Sequence, residues 1–146
     1  MATSYDASAQ YEIKSWDVEY RRNPVRTLMA RIYQPQGDGP FPVLLDVHGG
    51  AWNDQDRTAN ALVDQQLAAS GVLVVAIDLR LASEAPYPAS VADTNYGIRW
   101  LKSKAREWNG DPETLGVLGS SSGGHVVELI AMRPNDPRYN EFALEE

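Results

Sequence analysis

Three consecutive serines flanked by glycines, Gly119-Ser120-Ser121-Ser122-Gly123-Gly124-His125, are the residues whose types and spacing most directly suggest chemistry in this 146-residue chain. Only Ser121 has glycine two places before it and two places after it, which completes Gly-x-Ser-x-Gly. A serine hydroxyl serves as a nucleophile when a sharp strand-to-helix turn lifts it clear of its neighbours. Such a turn is strained, and small residues two positions away let the strand and the helix approach one another. The helix start behind the turn adds positive potential, and the backbone N–H of the next residue, Ser122, is then available to a tetrahedral oxyanion. The chemistry this predicts is acyl transfer through a covalent serine intermediate. The plain alternative is a Gly/Ser turn that only joins two elements, and a strand before the motif with a helix after it decides between them. Phosphate cradles fit worse, because no Lys follows the glycines as a P-loop requires and the glycine spacing misses the dinucleotide fingerprint.

A second group, His48-Gly49-Gly50, follows an apolar run. Two glycines there let the main chain approach a substrate carbonyl with its N–H groups pointing inward, so Gly49 and Gly50 join Ser122 as candidate oxyanion donors. His125 lies one turn past Ser121 and could be imagined as a base, but the helix is expected to carry it inward beneath the elbow. Asp46 interrupts the apolar run. A buried carboxylate must be paired or hydrogen-bonded, and neighbouring backbone or a loop residue is favoured as its partner over a direct catalytic role. Trp52 and Tyr87 are candidates for lining an acyl or alcohol pocket, set against the ordinary reading of such aromatics as packing.

The elements that must position these residues can be read from periodicity. Residues 11–20 and 27–33 alternate apolar and polar around the turn signal Asn23-Pro24 and predict an antiparallel hairpin. Residues 42–47 form an apolar run of the kind a strand buried on both faces shows. Across 56–69, Ala59, Leu62, Val63 and Leu67 fall at helical spacing and Gly71 supplies a stop. Residues 72–77 are the strongest strand segment and predict a central parallel strand. Val91, Ile98, Leu101, Ala105 and Trp108 stripe one long helix. A short strand over 114–118, the Gly/Ser turn, and a helix over 126–132 ending before Pro134 complete the series. Strand and helix alternate from residue 42 onward, which predicts an α/β fold with parallel strands, right-handed crossovers and helices on both faces.

Composition sets the outer limits. With 43% hydrophobic and 23% charged residues the chain is an ordinary globular sequence of one-domain length. A formal charge of −7 argues against nucleic acid and anionic membrane surfaces as partners. No cysteine is present, so neither a disulfide framework nor a thiolate site is available. The first residues lack a basic start and an apolar h-region, and no segment reaches membrane-spanning length. A cytoplasmic location is the expectation, and self-association is left open.

Taken together, HGGAW (48–52), DLRLASEAPYPAS (78–90), Asp93, Arg99-Trp100-Leu101, GDPETLGVLG (110–119) and SSSGGH resemble the α/β-hydrolase carboxylesterases related to hormone-sensitive lipase and the bacterial acetyl esterases. The resemblance spans roughly residues 26 to 132. It implies Ser121 as nucleophile, Gly49, Gly50 and Ser122 as the oxyanion hole, His48 as a residue that steadies its loop, a small-molecule ester as substrate, and neither metal nor organic cofactor. Ala51 stands where many relatives carry glycine, and the chain lacks the long N-terminal helices that cap the hormone-sensitive-lipase group, so a lightly covered site is expected. In this fold the triad runs Ser, then Asp or Glu, then His along the chain, and after Ser121 the only histidine is His125. The acid and the base are therefore expected beyond Glu146, in a C-terminal half of the same domain carried by this or a separate polypeptide. The run 134–140 is expected to be an exposed loop. An amidase or peptidase on the same fold and a catalytically silent binding module are the rival readings.

Overall fold

A computed structural model describes residues 5–144. Its strands are β1 (Ile13–Arg22), β2 (Thr27–Pro35), β3 (Phe41–Val47), β4 (Leu73–Ile77) and β5 (Gly110–Gly119). Its helices are α1 (Ala61–Ala69), α2 (Ala89–Lys104) and α3 (Ser122–Met132), with a 3-10 turn over Ala105–Trp108 after α2. The five strands form one sheet in the order β1-β2-β4-β3-β5. The hairpin β1–β2 is antiparallel and pairs antiparallel with β4, while β4–β3 and β3–β5 are parallel. The strand over 73–77 is thus central, but parallel to only one of its neighbours.

The sheet has two apolar faces because β3 and β4 carry apolar side chains at both parities. On one face Leu28, Ile32, Leu45, Val47, Val75 and Ile77 pack with Leu101 of α2 and Val126 of α3. On the other, Tyr33, Val74 and Ala76 pack with Ala68 of α1. Buried carboxylates tie the hairpin to this frame. Asp78 accepts from the N–H groups of Met29 (3.1 Å) and Arg57 (3.0 Å), and Asp93 takes Arg21 (2.8 Å) and the Arg80 N–H (2.8 Å). Among the described residues no helix is long and apolar enough to cross a membrane.

Several expectations need correction. The helical stripe over 56–69 is turned largely outward: Leu62 is 76% exposed and Val63 48%, and of that stripe Leu67 packs partly against the core, whereas Asp64 and Ala68 are buried. The cause is partly local, since Asp56 takes the Thr58 N–H at 2.7 Å in a side-chain turn and the helix starts only at Ala61. The small Ala68 then sets the face that can approach the sheet. The last strand is longer than the 114–118 read from the sequence. Helix α3 also starts earlier than residue 126, because the glycines after Ser121 are themselves its first turn. The 134–140 run is exposed only in part. Tyr139 is buried with its hydroxyl on that of Tyr87, and beyond it Phe142 lies 3.3 Å from the Arg21 guanidinium and accepts at its carbonyl from Arg99 (2.6 Å).

Candidate active site

β5 ends at Gly119 and α3 begins at Ser122, so the chain must reverse within Ser120 and Ser121. Ser121 takes φ 52° and ψ −119°, a sparsely populated backbone region that costs on the order of 1–3 kcal/mol and persists only where the surroundings enforce it. Those surroundings are visible. The Ser120 N–H donates to the Val47 carbonyl at 3.1 Å, and the Gly123 and Gly124 N–H groups donate to the carbonyls of Ser120 and Ser121 at 2.8 and 2.9 Å. A Cβ on Gly123 would lie 2.2 Å from the Val47 carbonyl oxygen, and one on Gly119 would lie 2.5 Å from the Gly123 oxygen. The glycines two residues either side of Ser121 are required by close backbone approach.

β3 delivers the second half of the site. A Cβ on Gly49 would stand 2.8 Å from the Ser120 oxygen and 3.1 Å from Ser121 Cβ, so this loop and the elbow are in contact. Gly50 has φ 114° and caps a turn by accepting from the N–H groups of Asn53 and Asp54. Ser122 is buried, and its Oγ accepts from the Trp52 N–H at 3.2 Å. Among the described residues no backbone acceptor takes the N–H groups of Gly49, Gly50 or Ser122. His48 is buried with Nδ1 2.6 Å from the Gly49 carbonyl, to which it donates.

His125 is not carried inward. It is exposed, its Nδ1 accepts from Trp52 Nε1 at 3.3 Å, and the two rings meet edge to face. Because α3 starts at Ser122, position 125 falls on the side facing the 48–55 loop, and Val126 takes the inward position. Trp52 and Tyr87 are each about half exposed and share the wall of a 310 Å³ cavity with Arg80, Ser90, Val91 and His125. Among the described residues nothing hydrogen-bonds the Ser121 hydroxyl, and no three His, Asp or Glu side chains gather as a metal site.

Two residues were missed by sequence reasoning. Asn60 donates from Nδ2 to both Asp46 oxygens (3.0 and 3.2 Å) and to Ser120 Oγ (3.1 Å). Asp64, fully buried, sits beside Asp46, and burial together with that neighbour raises its carboxyl well above the usual carboxylate range. An Asn ahead of a helix reads as a cap, and an Asp in a helix reads as solvent-facing, so neither carries a sequence signal of its own.

Residues 31–145 match the BD-FAE family. The chain belongs to that family. This BD-FAE chain is 35% identical over 102 residues to the probable carboxylic ester hydrolase LipM of Mycobacterium tuberculosis, across 69% of this chain and 24% of LipM. It is likewise 35% identical over 101 residues to the carboxylesterase NlhH of the same organism, across 66% of this chain and 30% of NlhH. Among solved structures it superposes on EstE1, a thermophilic carboxylesterase from a metagenomic library, with a TM-score of 0.77 and 28% identity over 88% of this chain and 45% of EstE1. The hyperthermophilic esterase of Pyrobaculum calidifontis gives 0.75 and 26% over 88% and 41%. The BD-FAE chain therefore has the α/β-hydrolase fold, and it spans less than half the length of each of these relatives.

Proposed function

We propose that this chain carries the nucleophile and the oxyanion loop of a serine carboxylesterase acting on small-molecule esters. Ser121 Oγ attacks the ester carbonyl carbon and passes its proton to a histidine base, while the N–H groups of Gly49, Gly50 and Ser122 hold the oxyanion. Collapse breaks the bond to the alcohol oxygen, which leaves with that proton, and water then releases the acid. The triad acid and histidine come from polypeptide outside these 146 residues, since the chain order of this fold places them after the nucleophile and His125 is engaged by Trp52. The observation that carries this reading is Ser121 at φ 52° and ψ −119° on a strand-to-helix junction with Gly49 packed against it.

The test is a fluorophosphonate reaction with the full-length esterase that contains this chain, read by mass spectrometry of the labelled peptide. Label on Ser121 and loss of turnover in Ser121→Ala are expected. Label on Ser120 or Ser122, or full activity in the Ala variant, would overturn the assignment.

A further inference from the structure

Asn60 stands at the N-cap position of α1, where an asparagine ordinarily turns its side chain back to accept from the first free N–H groups of the helix. Here it makes no side-chain cap bond. Its amide is turned instead toward the end of β3 and the elbow, where Nδ2 is shared among the two Asp46 oxygens and Ser120 Oγ. Carboxylate oxygens only accept, which fixes the amide with its N–H₂ toward Asp46. The helix gives up a cap worth roughly 1 kcal/mol in this arrangement, so the amide is doing something the helix alone does not need.

What it holds is the residue before the nucleophile. Ser120 is fixed at its N–H by the Val47 carbonyl, at its carbonyl by the Gly123 N–H, and at its hydroxyl by Asn60. Asp46 is anchored on β3, which also leads into Gly49 and Gly50, so one amide spans the strand that presents the oxyanion loop and the turn that presents Ser121. We propose that Asn60 is a positioning residue for the reaction, bridging Asp46 and Ser120 so that the strained Ser121 backbone keeps its register against the oxyanion loop. The proposal rests on Ser121 being the nucleophile. Asn60 touches neither substrate nor the reacting atoms, and its effect passes through Ser120.

A structural bond that only supports folding would change the amount of folded enzyme and leave each folded molecule with its normal rate. A positioning bond lowers kcat per folded molecule with little change in KM, because misplacing reacting groups costs rate more than binding. The experiment is a double-mutant cycle of Asn60→Ala and Ser120→Ala in the full-length esterase, with kcat normalised to active sites titrated by the phosphonate. Ser120→Ala removes only a hydroxyl and leaves no charge uncovered, so it keeps the test available if Asn60→Ala folds poorly. Each single variant is expected to lose about tenfold in kcat with KM within about twofold, and the double variant to be no worse than Asn60→Ala, since both delete one bridge. Wild-type kcat in Ser120→Ala, or losses that multiply in the double variant, would overturn the proposal. Phosphonate still on Ser121 in those variants would leave the nucleophile assignment standing, whereas label elsewhere would remove that assignment instead.

Discussion

Gly49 and Gly50 are glycines for different steric reasons, and the difference decides how each can be tested. Gly50 has a left-handed φ and a Cβ there would meet the Asp54 oxygen at 2.2 Å, so any side chain breaks the turn that carries the loop. Gly49 keeps an ordinary φ, and a Cβ there meets the elbow itself, 2.8 Å from the Ser120 oxygen. Gly49→Val is therefore expected to push the loop away from Ser121, the proposed nucleophile, while the sheet beneath them stays folded. The predicted outcome is a fall in kcat of about a hundredfold or more, the usual scale for a lost oxyanion donor, with an unchanged circular dichroism spectrum. Unchanged kcat with an unchanged fold would place the oxyanion hole elsewhere.

Helix α1 presents its less apolar side to the sheet, and that inversion has a measurable consequence through Asp64. Burial, with Asp46 alongside, keeps the Asp64 carboxyl protonated far above the pH at which it ionises in the unfolded chain. Below about pH 4 both states hold the proton and the group is neutral to folding. As the pH rises, the unfolded chain releases the proton and the folded chain retains it, so stability is lost progressively toward the folded pKa. Asp64→Asn has no proton to lose and is expected to match the parent near pH 4 and to exceed it by at least about 1 kcal/mol at pH 8 in urea denaturation. A difference that does not vary with pH would show that Asp64 ionises normally. The same helix shows where sequence reasoning stops. The elbow, β3 and β4 were legible because their residues are dictated by sterics and by burial on two faces, which leave a pattern in the chain itself. The facing of α1, the outward turn of His125, the docking of Tyr139 and the diversion of Asn60 depend on partners distant in sequence, and no local periodicity encodes them.

For the molecule as a whole, β5 is the last strand of the sheet, and among the described residues nothing pairs with its outer side. Beside it, Ile98 of α2, Val117 of β5 and Val127 and Ile130 of α3 line a 300 Å³ apolar groove. An unpaired strand edge next to apolar surface offers both backbone and side-chain partners to another segment. In a preparation of these 146 residues, the outward amides of β5 are expected to exchange with deuterium faster than those of β3 and β4, which are paired on both sides. Equal protection across the three strands would show that another copy of the chain covers the edge. The parallel register of Val43 with Leu115 carries a different implication, one of timing. β5 can join the sheet only after a long loop of chain has closed, and such distant pairings are slow to form. The backbone that forces Ser121 into its strained conformation therefore comes together late. With Ser121 as the proposed nucleophile, a refolding chain would regain its helices well before any reactivity toward a phosphonate, so the arrival of that reactivity would mark the end of folding.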